Sequence, residues 1–219
     1  MSAQTISEVL FEQLCTQKRI GHARIVAHTA RTADYRLTLG HLTLIAEVKQ
    51  LDSSSEDRSL TAIWGTPQSP GAIAPSDRVQ GLLEKGYPQI KNSAEGKWPT
   101  MIVVYNNSEG WNYIDSFTVS KAMFGTFGFA VALQPNHAIG MMGHGYMGER
   151  KTTKTTCRAL SVVGVLKRRG SNALALECYH NPFATFPVDR AVLSTLADAQ
   201  FVHPNPHDRG HIPWRPTEI

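Results

Sequence analysis

Asp34-Tyr35-Arg36-Leu37-Thr38-Leu39, then Gly40-His41, then Leu42-Thr43-Leu44-Ile45-Ala46-Glu47-Val48-Lys49 is the run on which the fold turns. Two strand-like runs flank a glycine-containing turn, the signature of a β-hairpin. Side chains alternate between the faces of a strand, so Leu42, Leu44, Ala46 and Val48 share one apolar face. Glu47 and Lys49 project together from the other. An acid and a base on one face of an otherwise apolar strand are costly to bury without partners. Asp34 and a metal ion would supply them.

Elements of opposite period surround this hairpin. Ile6, Val9, Leu10 and Leu14 fall at helical spacing within residues 5–19, with Thr5 and Glu8 as a capping box and Gly21 as a stop. His22 to His28 reads as a short strand. Residues 51–76 are polar and Pro/Gly-rich, which predicts a long surface loop containing Trp64, read as a packing anchor. Residues 77–95 read as a helix with Val79, Leu82 and Leu83 as its stripe and Pro88 as a kink or break. Thr100 to Tyr105 is a continuous apolar run, predicting a fully buried strand. The expected class is therefore α/β, a central mixed β-sheet flanked by helices, in a single domain over residues 1–219.

This order of helix, strand, hairpin, helix and buried strand, with Asp34 followed by Glu47-Val48-Lys49, resembles the PD-(D/E)XK superfamily of restriction-endonuclease-like nucleases. Twelve residues separate Asp34 from Glu47, a gap that suits a hairpin, and Ala33 stands where the family has proline. The resemblance covers residues 5–107. It implies a restriction-endonuclease-like core and a metal-dependent nuclease hydrolysing phosphodiester bonds in DNA. The cofactor it implies is Mg²⁺, with Mn²⁺ expected to substitute. Asp34, Glu47 and the Val48 carbonyl oxygen would hold the metal, with Glu12 from the first helix completing a second metal position. Lys49 would position or help to deprotonate the attacking water, and Gln89 would orient the water or a phosphate oxygen. Because such nucleases often cut two strands with two subunits, a homodimer is a further expectation. The alternative is a catalytically inactive nucleic-acid-binding or assembly protein on the same fold, against which the intact Asp34, Glu47 and Lys49 set argues. A small-molecule-binding α/β protein is a third reading.

The second half of the chain offers less specific signals. Phe117 to Leu133 mixes a short helix with a strand. Residues 137–156 carry four glycines from Gly140 to Gly148 and then a Lys/Thr-rich run, predicting a flexible basic loop. Its G-x-G-x-x-G spacing (Gly143, Gly145, Gly148) is discounted as a dinucleotide site because no helix pattern opens there. Arg150, Lys151 and Lys154 in this loop, with Lys91, are the candidate phosphate contacts. Leu160 to Tyr179 reads as a second hairpin around a basic turn, followed by a helix near residues 188–198. From about residue 200 an irregular tail is expected. His203, His207 and His211 lie in it at four-residue spacing, but Pro204, Pro206 and Pro213 argue against a helical metal site.

Composition is that of an ordinary globular protein, with 42% hydrophobic and 18% charged residues. A net charge of +4 biases the chain mildly toward anionic partners. Cys15, Cys157 and Cys178 match neither a disulfide framework nor a zinc spacing, which reads as reduced thiols in a cytoplasmic setting. Neither a signal peptide nor an apolar run of membrane-spanning length is expected.

Overall fold

The computed structural model describes residues 4–26, 31–55, 75–108, 114–133, 139–147, 151–169, 173–203 and 215–217. Helix α1 (Ile6–Gln17) begins at Thr5, which accepts from the Glu8 amide while Glu8 bonds back to the Thr5 amide, so the capping box forms. Its inward stripe of Leu10, Phe11, Leu14 and Cys15 is buried. Strand β1 (Gly21–Arg24) leads to β2 (Tyr35–Leu39), in which Tyr35, Leu37 and Leu39 are buried and Arg36 and Thr38 exposed. Gly40, at φ +60°, turns the chain into β3 (Leu42–Leu51). That positive φ would strain any side chain with a Cβ.

Helix α2 (Pro75–Ala94) crosses from β3 to β4 (Thr100–Asn106), which pairs in parallel with β3. Helix α3 (Ser116–Phe124) ends at Gly125, φ 89°, before β5 (Thr126–Leu133) and β6 (Ile139–Met147) form a separate two-stranded ribbon. Strand β7 (Val162–Arg169) returns to the main sheet parallel to β4, and β8 (Ala173–His180) folds back antiparallel to it. A short turn of helix, α4 (Arg190–Leu193), connects to β9 (Ala199–Val202), and β10 (Arg215–Thr217) closes the edge. The main sheet runs β1-β2-β3-β4-β7-β8-β9-β10. The fold is thus α/β, a mixed sheet flanked by helices.

Each face of the sheet carries its own core. On one, α1 packs over Leu37, Leu44, Ala46, Val48, Met101 and Val103. On the other, α2 and α3 cover Ile45, Ile102, Val104, Val163 and Val165. Strand β4, at the centre, is buried on both faces, which is why its sequence is apolar throughout.

Three expectations are corrected. Of the kink or break expected at Pro88, the break does not occur: helix α2 runs through the proline, and its buried stripe of Val79, Leu83, Ile90 and Ala94 holds both halves on the sheet. Residues 139–147, expected as flexible loop, are strand β6, with Gly143 and Gly145 paired opposite Ala130 and Gly128. Backbone pairing formed this strand, in a stretch whose glycines show no side-chain alternation. The Lys/Thr-rich run is tied down as well: the Lys151 and Thr152 amides and the Thr152 hydroxyl all donate to the Met123 carbonyl at the end of α3. The expected irregular tail supplies β9 and β10, and His203 is buried against Tyr146. Trp64, most of the 51–76 loop, Arg150, His207 and His211 lie outside the described residues.

Among the described residues, no helix is long and apolar enough to cross a membrane.

Candidate active site

Strand β3 outlasts β2. The last β2 pair is Tyr35 with Ala46, so β3 beyond that point has a bare edge. Asp34, the residue just before β2, covers it: the Val48 amide donates to Asp34 Oδ2 at 2.8 Å. In an extended strand the N–H and C=O of one residue point to the same edge. The Val48 carbonyl oxygen therefore lies on the Asp34 side, away from β4. The Asp34 backbone is itself gripped from β1's continuation, where the Ile25 amide donates to its carbonyl at 2.9 Å.

Glu47 and Lys49 project toward α2, on the face opposite Ala46 and Val48. The Glu47 side chain is only 1% exposed and the Lys49 side chain 20%. Lys49 Nζ donates to Glu47 Oε1 and, at 2.9 Å, to Gln89 Oε1. Gln89 Nε2 in turn donates to the Thr32 carbonyl at 3.2 Å, so the amide links α2, β3 and the segment preceding Asp34. Glu47 Oε2 is buried and accepts no hydrogen bond. Gly86 sets the clearance above this acid: a Cβ there would stand 3.4 Å from Glu47 Cγ and 3.1 Å from Ile102 Cδ1.

The electrostatics follow from burial. Loss of solvent, and then the neighbouring Asp34 charge, push the Glu47 carboxyl up to about 7, against the opposing pull of Lys49. Asp34 is also raised, first by burial and then by the charge of Glu8, while the Val48 amide pulls it down. Two neighbouring carboxyls, both raised, share a region of negative potential with one oxygen uncommitted, an arrangement that suits a hard cation.

The first-helix acids divide differently from the sequence expectation. Glu12 is held by Arg24 Nε at 2.9 Å, by the Tyr35 hydroxyl at 2.9 Å and by Gln4 at 2.9 Å, and its carboxyl lies below the usual range. Glu8 is the α1 acid whose charge reaches Asp34, although it also caps α1 and pairs with Arg24 at 3.3 Å. The capping role was legible in the sequence, whereas the pairing with Arg24 was not. Arg24, joined to Glu8, Glu12 and the Tyr35 hydroxyl, carried no sequence signal at all. Among the described residues, no group of three or more His, Cys, Asp or Glu side chains is placed to hold a metal, so Asp34 and Glu47 stand as a pair.

The candidate phosphate contacts lie apart from this pair. Lys91 is exposed on α2, two residues and roughly 200° around the helix from Gln89. Lys151 is paired with Glu84 at 2.5 Å, and Lys154 is exposed. Comparison with protein-family models, with curated proteins and with solved structures finds no match to this chain.

Proposed function

We propose that the chain is a metal-dependent nuclease with a restriction-endonuclease-like core, hydrolysing phosphodiester bonds in DNA. One observation carries the reading. Half-buried Asp34 and buried Glu47 present neighbouring carboxyls beside the bare edge of β3, one Glu47 oxygen without a hydrogen bond, with Lys49 on the same strand face as Glu47. The donors that would hold the metal are Asp34, Glu47 Oε2 and the Val48 carbonyl, all oxygens, which suits Mg²⁺ with Mn²⁺ as a substitute. When bound, such an ion neutralises phosphate charge and makes a coordinated water more acidic.

The chain's own residues supply the rest. Asp34 is oriented by the Val48 amide, which engages only one of its two oxygens. Lys49, steadied by Gln89, would offer its ammonium group to the phosphoryl oxygens that gain negative charge as water adds to phosphorus. Hydrolysis forms one P–O bond from water and breaks one ester P–O bond, leaving a phosphate monoester and a hydroxyl.

The test is cleavage of supercoiled and single-stranded DNA with Mg²⁺ or Mn²⁺, and with chelator. Glu47→Ala and Lys49→Ala are each expected to lose on the order of 10²–10³-fold in rate. Cleavage that survives both substitutions, or that persists in chelator, removes the proposal. No cleavage by the wild type with DNA binding retained leaves the non-catalytic reading in its place.

A further inference from the structure

On the flank of α2 away from Gln89 lies an open cleft of about 440 Å³, walled by Tyr87, Trp98 and Phe186 and rimmed by Lys91 and Arg158. Arg158 also lines a second cleft of about 390 Å³, with Lys154, Pro182 and Phe183. The two adjoin through that arginine. Lys91, Lys154 and Arg158 are exposed, whereas the four aromatic residues are half-buried.

Lys18, Lys97, Lys121, Lys151 and Lys167 each pair with an acid. Among the described residues, no acid pairs with Lys91, Lys154 or Arg158. Glu95 also lines the first cleft, but it is committed to Lys97 at 2.7 Å. The walls are held firmly. Ser161 Oγ donates to the Phe186 carbonyl at 2.6 Å, the Thr185 amide to the Arg158 carbonyl at 2.8 Å, and Asn181 Nδ2 to the Leu160 carbonyl at 2.7 Å. A row of uncompensated cations beside part-open aromatic walls, in a pre-formed groove, fits a ligand that alternates phosphates with flat rings. A duplex keeps its base faces stacked inside and would leave the aromatic walls unused.

We propose that the two clefts form one track for single-stranded nucleic acid, separate from the Asp34–Glu47 pair. Phosphates sit on Lys91, Arg158 and Lys154, and bases stack on Tyr87 and Phe186, while Trp98, whose ring lies under the Arg36 and Lys97 side chains at 4.9 and 4.6 Å, forms part of the wall. The track extends the proposed function, since it would hold a strand on the far side of α2 from the cleaving residues, but it requires no cleavage.

The experiment is fluorescence anisotropy of a labelled oligothymidylate of about 12 nucleotides in chelator, so that binding is read without turnover. Wild type is expected to bind it. The double variant Lys91→Glu, Arg158→Glu should bind at least tenfold more weakly, with a shallower salt dependence, by about 0.7 in log–log slope for each phosphate no longer neutralised. Lys85→Glu, an exposed charge change on another side of the same helix, should have little effect. A matching ribonucleotide shows whether the sugar matters, and circular dichroism confirms that each variant is folded. Equal weakening in the groove and Lys85 variants, or duplex binding in preference to single strand, overturns the track. Groove-dependent binding without cleavage under any condition would leave the track standing and remove the nuclease reading, so the two failures are distinct.

Discussion

Glu47 holds its proton more tightly in the folded chain than an unfolded glutamate does, because burial and Asp34 disfavour its charged form. The consequence for stability has a definite sign. The folded state is favoured fully below about pH 4.5 and loses this contribution as pH rises toward about 7, where the buried carboxyl must ionise. The raised Asp34 carboxyl acts in the same direction. Metal-free protein is therefore expected to lose on the order of 2 kcal/mol between pH 5 and 8, measured by chemical denaturation. Glu47→Gln should flatten that decline, so that the variant gains on the wild type with rising pH. Mg²⁺ should raise the wild-type melting temperature more at pH 8 than at pH 6, because a cation favours the ionised pair, and should do so far less in Glu47→Gln. A wild-type stability independent of pH in this window would mean that the carboxyls are not coupled as described.

Among the elements, the site depends on how closely α2 approaches β3. Gly86 permits that approach, since even one added carbon would press on Ile102 and come into contact with Glu47. Gly86→Val, which adds three carbons and a β-branch on a helix face turned to the sheet, is expected to cost about 1–3 kcal/mol through overpacking. It should also displace Glu47 and Gln89, so metal-dependent cleavage should fall more than global stability accounts for. Urea unfolding beside a rate measurement separates the two effects. A variant with unchanged stability would show that α2 moves freely over the sheet. The helix is otherwise well held, its buried stripe packed on the sheet on both sides of Pro88.

Across the molecule, the three thiols report on opening. Cys15 and Cys178 are buried, one on the inward face of α1 and one within β8, and burial raises both thiols, that of Cys15 to about 12. Cys157 is half-buried and also raised, so it is accessible but only a slow nucleophile. Native protein is expected to react with a thiol reagent at one position, Cys157, and at all three only after unfolding. Mass spectrometry of the native adduct checks this. Rapid native labelling of Cys178 would show that the β7–β8–β9 side of the sheet opens independently.

Elements whose chemistry is local were legible in the chain alone. The Thr5–Glu8 cap, the Gly40 turn, the alternation of Tyr35, Leu37 and Leu39 and the unbroken apolar run of β4 each need only neighbours a few residues away, or a single period, to be read. Glu47 and Lys49 share a face because strand alternation allows nothing else. The remainder came from packing between distant segments. The carriage of α2 through Pro88 depends on the sheet beneath it. Strand β6 exists because a partner ladder was available to a glycine-rich segment. Glu12 is held by Arg24 and Tyr35, from two strands whose place beside α1 no local pattern reveals. The groove on the far flank of α2 assembles residues from positions 87 to 186, and the proximity of such distant groups depends on packing, which no local pattern in the chain encodes.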